Sequence, residues 1–326
     1  MKIHRLTGLL AVLCLLVSAF AMAACGDDEE EGGGTQTSGE QQAAIESNPD
    51  NQGTTITVGS KNFTEQKVLG EVFAQGLEAA GFTVEKQLNL GDEKTAFAAL
   101  RGGEIDAYPE YTGTALLSFF GVRADRIPKD PQEAFEQVRT NMEERNVTAL
   151  PPTPFTSSNE VGVTRETAQQ NDLQTISDLS QVDQEFTLYG SPECRQRTDC
   201  LLGLQQVYDL DFQRFRPVDI ALRHEVLTKG QADASIVFTT DPQIKREGFV
   251  LLEDDKNMFP PYNSTLLVRN QIAQGETGQN MQDVVEQVQE GLTAEVMQEL
   301  NARVDLDKKT PEQVAGEYLR ESGLVR

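Results

Sequence analysis

Two stretches 127 positions apart read as one unit used twice. LRGGEIDAYPEYTGT (100–114) and LTKGQADASIVFTTD (227–241) each end a helix, turn at glycine and run a short strand. Leu100, Gly103, Asp106, Ala107, Tyr111 and Thr112 of the first are answered by Leu227, Gly230, Asp233, Ala234, Phe238 and Thr239 of the second. A single repeat is far short of a solenoid. It predicts two alike lobes, each presenting an aromatic at a strand end to a shared cleft, with Tyr111 and Thr114 on a loop. Chance likeness between two helix–glycine–strand units is the other reading.

The rest of the chain extends this pattern. Thr55–Ser60 alternates and is β-branched, which predicts a first strand. Val68, Leu69, Val72, Phe73, Gly76, Leu77 and Ala80 then keep to one helical face, closed by Gly81. Lys61 falls on the turn between them, where open α/β sheets bind ligands and anions, although a solvated lysine is the default for that residue type. A second strand at 82–88, a helix at 95–100, and strands at 160–163, 186–189 and near Phe215 continue an α/β architecture with a mainly parallel sheet. The Pro-rich segment 151–155 marks a lobe boundary. Leu251–Tyr262 carries the chain back, Asn263–Val268 returns to the first lobe as a strand, and Thr310-Pro311-Glu312-Gln313 opens a C-terminal helix with a capping box. The expected domains are 54–157 with 262–326 as lobe 1 and 158–261 as lobe 2, joined by two crossings, as a hinge that closes on a ligand requires.

The first residues read as export machinery. Lys2 and Arg5 precede an apolar run, Leu9–Phe20, that is too short to span a bilayer and ends in small residues. Residues 1–24 are therefore a signal peptide. Cys25 follows Ala-Ala as in a bacterial lipobox, with Met22 where that pattern usually has leucine; lipid on Cys25 is the expectation, and ordinary cleavage without lipid the alternative. Residues 25–53 hold almost no large apolar side chains and read as a flexible tether. Loss of Lys2 and Arg5 moves the formal charge from −24 to −26, which argues against nucleic acid and anionic lipid as partners. With Cys14 in the signal and Cys25 lipidated, Cys194 and Cys200 remain, and an exported chain favours a disulfide between them. A zinc site lacks partners, because His224 is the only histidine beyond the signal. His224 lies in a helix-like run, DIALRHEVL, and no Ser/His/Asp arrangement, phosphate loop or metal cluster accompanies it, so no catalytic residue, metal or cofactor is expected.

GSKNFTEQ (59–66), EYTGT (110–114), FTTD (238–241) and EDDKNMFPPY (253–262), in that order, resemble the substrate-binding proteins of quaternary-amine ABC transporters, which take up glycine betaine, choline, carnitine and related osmoprotectants. The resemblance spans about 55–326 and implies a type II periplasmic-binding-protein fold, two α/β lobes around a ligand cleft, no cofactor, a monomer, and delivery to a membrane permease driven by a separate ATPase. It implies an aromatic box for the ammonium group made by Tyr111, Phe238 and Tyr262. A methylated ammonium donates no hydrogen bonds and is held by ring faces at about 0.5–2 kcal/mol each. The family's carboxylate anchors match Lys61, Thr114 and Arg197, the last held in the cysteine loop. Three rings and three charge-assisted bonds, less the cost of association, suit roughly micromolar binding. One departure stands out: Glu160 falls where the family has another box tyrosine. A carboxylate there suggests a ligand other than glycine betaine, with N–H donors on its cationic end; the alternative is that Glu160 points to solvent. A lipid-anchored sensor that works without a transporter shares all these features.

Overall fold

The computed structural model describes residues 44–326. The expected signal peptide, Cys25 and most of the expected tether lie outside the described residues. Residues 45–51, expected within the tether, are hydrogen-bonded to lobe 1. Ile45 N donates to Leu324 O at 2.9 Å, Asn48 N to Ala80 O at 2.9 Å, and buried Asn51 donates through its side chain to Ala80 O. A short polar segment thus gains order by satisfying Ala80 O at the end of the first helix and Leu324 O beyond the last.

Lobe 1 opens with β1 (Thr55–Gly59), α1 (Thr64–Ala79), β2 (Thr83–Gln87), α2 (Glu93–Gly102), β3 (Ala107–Tyr111), α3 (Thr112–Phe120), α4 (Pro131–Glu143) and β4 (Val147–Ala149). Lobe 2 follows as β5 (Asn159–Val163), α5 (Arg165–Gln170), β6 (Thr187–Gly190), α6 (Leu201–Tyr208), β7 (Arg214–Pro217), α7 (Glu225–Thr228), β8 (Ala234–Phe238), α8 (Pro242–Glu247) and β9 (Val250–Leu252). The chain then returns to lobe 1 with β10 (Ser264–Arg269), α9 (Gly275–Gln289), α10 (Ala294–Asp305) and α11 (Pro311–Glu321). None of the described helices is long and apolar enough to cross a membrane.

The two sheets share one topology, β2-β1-β3-β10-β4 and β7-β6-β8-β5-β9. Four strands run alike and one, β10 or β5, is reversed and sits next to the end of the sheet. Because β10 and β5 are the strands by which the chain enters each lobe from the other, the reversal follows from the double crossing. Segments 150–158 and 253–263 make those crossings, pairing at Thr156 with Asn263 and through Ser157 N to Tyr262 O at 3.1 Å.

The repeated unit is geometric as well as sequential. Gly103 and Gly230 both end their helices at positive φ, 79° and 64°. Asp106 and Asp233 then lock the next strand to its parallel neighbour in the same way. Thr57 N donates to the Asp106 carboxylate and Thr187 N to that of Asp233, while Asp106 N and Asp233 N donate to the carbonyls of Thr57 and Thr187. One difference from expectation concerns Thr114: helix α3 begins at Thr112, directly after the strand, so Thr114 sits in the first turn of a helix and not on a loop. Apolar layers lie on both faces of each sheet. In lobe 1, α1, α9, α10 and α11 cover one face around Phe73 and Leu266, and α2, α3 and α4 the other around Tyr108 and Leu267.

Candidate functional site

The strand ends of both lobes meet over a cavity of about 220 Å³. Lys61, Tyr111 and Thr114 reach it from lobe 1, Arg197 and Phe238 from lobe 2, and Tyr262 from the returning crossing. Six of the seven residues expected to bind a ligand therefore line one space. Phe63 lines it too, at the N-terminus of α1, with its ring centroid 6.3 Å from that of Tyr111 and 5.5 Å from that of Phe238. It bridges the rings contributed by the two lobes. Sequence reasoning quoted Phe63 inside GSKNFTEQ but gave it no role.

Each lobe holds a cation of its own over its aromatic. Lys61 Nζ lies 4.6 Å from the Tyr111 centroid, and Arg223 Cζ lies 4.4 Å from that of Phe238. Buried carboxylates fix both cations. Lys61 pairs with Glu110, which also accepts from Tyr108 Oη at 3.0 Å and Tyr111 N at 2.8 Å. Arg223 forks onto Asp241, which also meets His224 Nε2 at 2.7 Å and Phe238 N at 2.7 Å. Burial opposes the charge on Asp241, but Arg223 and His224 hold its pKa down to about 2. Burial pushes Glu110 above the ordinary carboxylate range, against the pull of Lys61. His224, the histidine of the run DIALRHEVL, is buried and engaged with Asp241.

A second network spans the cleft. Cys194 and Cys200 are joined, with Cα atoms 5.1 Å apart, and the loop they close carries Arg197 and Asp199. Arg197 forks onto Asp199 at 2.8 and 2.5 Å, while Tyr262 Oη donates to the same carboxylate and Asn159 Nδ2 reaches it at 3.2 Å. Burial raises the cost of the Asp199 charge, yet Arg197 and Tyr262 keep its pKa below the usual range. The remaining nitrogen of Arg197, Nη1, reaches across to Glu93 of lobe 1 at 3.4 Å. Glu93 occupies the first turn of α2 and accepts from Ser118 Oγ at 2.9 Å. Burial works against ionisation of Glu93, but the charges of Arg197 and Lys61, its own backbone N–H and Ser118 hold its pKa below the usual carboxylate range.

Glu160 is the expected site residue that does not line the cavity. Its neighbour Asn159 does. Successive side chains on a strand point to opposite faces, so an alignment one residue out exchanges cavity for core. Glu160 pairs across the sheet with Val237, on the face away from Phe238. Burial, with a smaller contribution from Asp254, pushes its pKa up to about 8. The inference that a carboxylate replaces a box aromatic therefore falls, and with it that reason to expect a ligand other than glycine betaine. Arg223 and Glu93 also escaped sequence reasoning: the run DIALRHEVL drew attention only to its histidine, and GDEKT carries no distinguishing pattern.

Among the described residues no group of three or more His, Cys, Asp or Glu is arranged to hold a metal ion. The chain matches, over residues 54–321, the family described as the substrate binding domain of ABC-type glycine betaine transport systems. It is 32% identical over 285 residues to a glycine-betaine-binding protein of Pseudomonas aeruginosa, covering 84% of this chain and 90% of that one. It is 30% identical over 283 residues to an ergothioneine transport permease/ergothioneine binding protein of Helicobacter pylori, where the match spans 86% of this chain and about half, 49%, of the relative. A solved glycine betaine/carnitine/choline ABC transporter structure superposes with a TM-score of 0.67 at 23% identity, over 82% of this chain and 98% of that one, which speaks for the fold. With a two-lobe α/β fold and a match that takes in all but the chain's ends, this protein belongs to the family of substrate-binding domains of ABC-type glycine betaine transport systems.

Proposed function

We propose that the inter-lobe cavity binds a small quaternary amine of the osmoprotectant class, such as glycine betaine, choline or carnitine, for import by an ABC permease with its ATPase. The observation that carries this reading is the convergence of Phe63, Tyr111, Phe238 and Tyr262, drawn from both lobes and the crossing, on one cavity. Rings suit a head group that cannot donate hydrogen bonds, and roughly 0.5–2 kcal/mol per ring makes them its main source of affinity. A cavity of about 220 Å³ is smaller than the ~300–1,000 Å³ typical of drug-sized ligands, which fits a compact amine. In this reading a lipid on Cys25 keeps the protein at the outer face of the membrane, beside its permease.

A ligand panel of glycine betaine, choline, carnitine, ergothioneine and basic amino acids, followed by thermal shift, tests the proposal, because a bound ligand raises the midpoint by mass action. A quaternary amine should raise it, and Tyr111→Ala and Phe238→Ala should each abolish the rise while leaving the unliganded protein folded. Absence of any shift with the quaternary amines, or a variant that responds like the parent, removes the support for the box.

A further inference from the structure

The three cations that line the cavity are each committed to a carboxylate of the protein. Lys61 holds Glu110, Arg197 forks onto Asp199, and Arg223 forks onto Asp241. Glu93 is the lining acid that has to share its cation. It lines the same cavity, is 7% exposed, accepts from Ser118 Oγ at 2.9 Å, and meets at 3.4 Å an Arg197 that is already forked onto Asp199. Further acids, Asp92 and Glu193, line the cavity beside it, so the site carries more negative than positive charge.

This balance bears on what the cavity accepts. A zwitterion with a carboxylate must find a cation whose charge is already met, and must place its own anion near Glu93. A net cation with a hydroxyl instead offers Glu93 a further charge-assisted hydrogen bond and brings no anion to repel it. Attraction between a buried carboxylate and a cation a few ångströms away is also stronger than it is in water. Resting on the quaternary-amine reading above, we infer that Glu93 is a specificity-determining residue, and that the cavity selects a hydroxylated quaternary amine over a carboxylate-bearing betaine. Arg197 then acts as a bridge that ties Glu93 of lobe 1 to Asp199 of lobe 2, and not as the anchor of a ligand carboxylate.

Calorimetric titration of the purified full-length protein with choline and with glycine betaine tests this. The parent should bind choline at least ten-fold more tightly than glycine betaine. Glu93→Gln should weaken choline ten-fold or more and leave glycine betaine unchanged or improved, while Glu93→Asp, which keeps the charge, should retain the choline preference. A parent that prefers glycine betaine overturns the inference and leaves the quaternary-amine reading intact. So does Glu93→Gln with an unaltered ratio of the two affinities. Binding of neither compound overturns both. The ratio measured on the parent decides the matter even where a variant fails to fold.

Discussion

The two lobes place the same parts on different residues. In lobe 1 the rung behind the cavity aromatic pairs Glu110 of β3 with Thr265 of β10; in lobe 2 the corresponding rung pairs Val237 of β8 with Glu160 of β5. Each rung thus carries one buried or half-buried carboxylate, on opposite strands. In lobe 1 Lys61 answers it, and the partner Thr265 donates to Leu150 O at 2.5 Å. In lobe 2, among the described residues, no cation meets Glu160 and its pKa rises to about 8. The cation over the ring moves as well. The strand register that aligns Val58 with Leu188 puts Ser191 at the place of Lys61, and lobe 2 draws Arg223 from the segment before α7 instead, held by Asp241, whose counterpart in the repeat is Thr114. The topology repeats, while the electrostatics of each strand end were settled separately.

The largest effect should come from the carboxylates beneath the rings. Asp241→Asn leaves Arg223 buried without its counter-charge, at a cost of about 3–5 kcal/mol. Glu110→Gln should cost less, about 1–3 kcal/mol, because burial already disfavours the charge on Glu110 whereas that on Asp241 is held down to about 2. Urea unfolding at neutral pH compares the two, and equal losses would erase the distinction between the lobes. The pH dependence carries opposite signs. Asp241, depressed from 3.8 to about 2, contributes stability that is present above pH 3.8 and is lost as pH falls through 2. Glu110, raised, contributes stability that is lost as pH rises above its unfolded value.

Glu160 gives the next effect and the opposite direction. Its folded pKa of about 8 lies above the unfolded value of 4.5, so the parent loses stability as pH rises from 4.5 to 8. Glu160→Gln should remove that loss, stabilising by on the order of 3 kcal/mol at pH 8 after allowance for partial exposure, and by little at pH 4.5. Ligand affinity should not change, since Asn159 and not Glu160 meets the cavity. Melting temperatures across that pH range read the first part. A binding defect in Glu160→Gln would put the strand register in question.

How much of this was legible in the chain follows from the kind of signal involved. The repeat at 100–114 and 227–241 announced two alike lobes because a helix stop, a positive-φ glycine and a strand leave local marks. Lys61, Tyr111, Thr114, Arg197, Phe238 and Tyr262, which line one cavity, could be singled out because motifs mark the turn, strand ends, helix start, cysteine loop and crossing that carry them. Glu160 was misplaced because strand period makes an error of one residue a change of face. Glu93, Arg223 and the pairings of Glu110 and Asp199 stayed hidden, because which acid meets which base depends on contacts between distant segments, and any of the 52 acidic residues could in principle serve.

A smaller contrast lies in the cysteine loop, which only lobe 2 has. Closing a loop of this size restricts the unfolded chain by about 2 kcal/mol. Cys194→Ser with Cys200→Ser should lower stability by that amount. It should also weaken ligand binding more than proportionately, because Arg197 and Asp199 then lose their fixed places. Reductant titration followed by calorimetry checks both, and unchanged affinity would show that the Asp199 network alone positions the loop.

The finest test of likeness uses the two glycines that end the repeated helices. Both sit at positive φ, where a Cβ costs roughly 1–2 kcal/mol by crowding the backbone. At Gly230 an added methyl meets nothing within 4 Å, so Gly230→Ala should show that backbone cost alone, about 1 kcal/mol. At Gly103 it meets the Arg269 guanidinium at 3.2–3.4 Å. Arg269 is engaged with Asp106 at 2.9 Å, the residue that locks β3 to β1, so the guanidinium can give way only by loosening that pair. Gly103→Ala should therefore cost a few tenths of a kcal/mol more than Gly230→Ala. Chemical denaturation of the two variants side by side measures the difference. A larger loss at Gly230 would mean that the lobe 2 turn is held by something other than its backbone angle, and that the repeat is closer in sequence than in energetics.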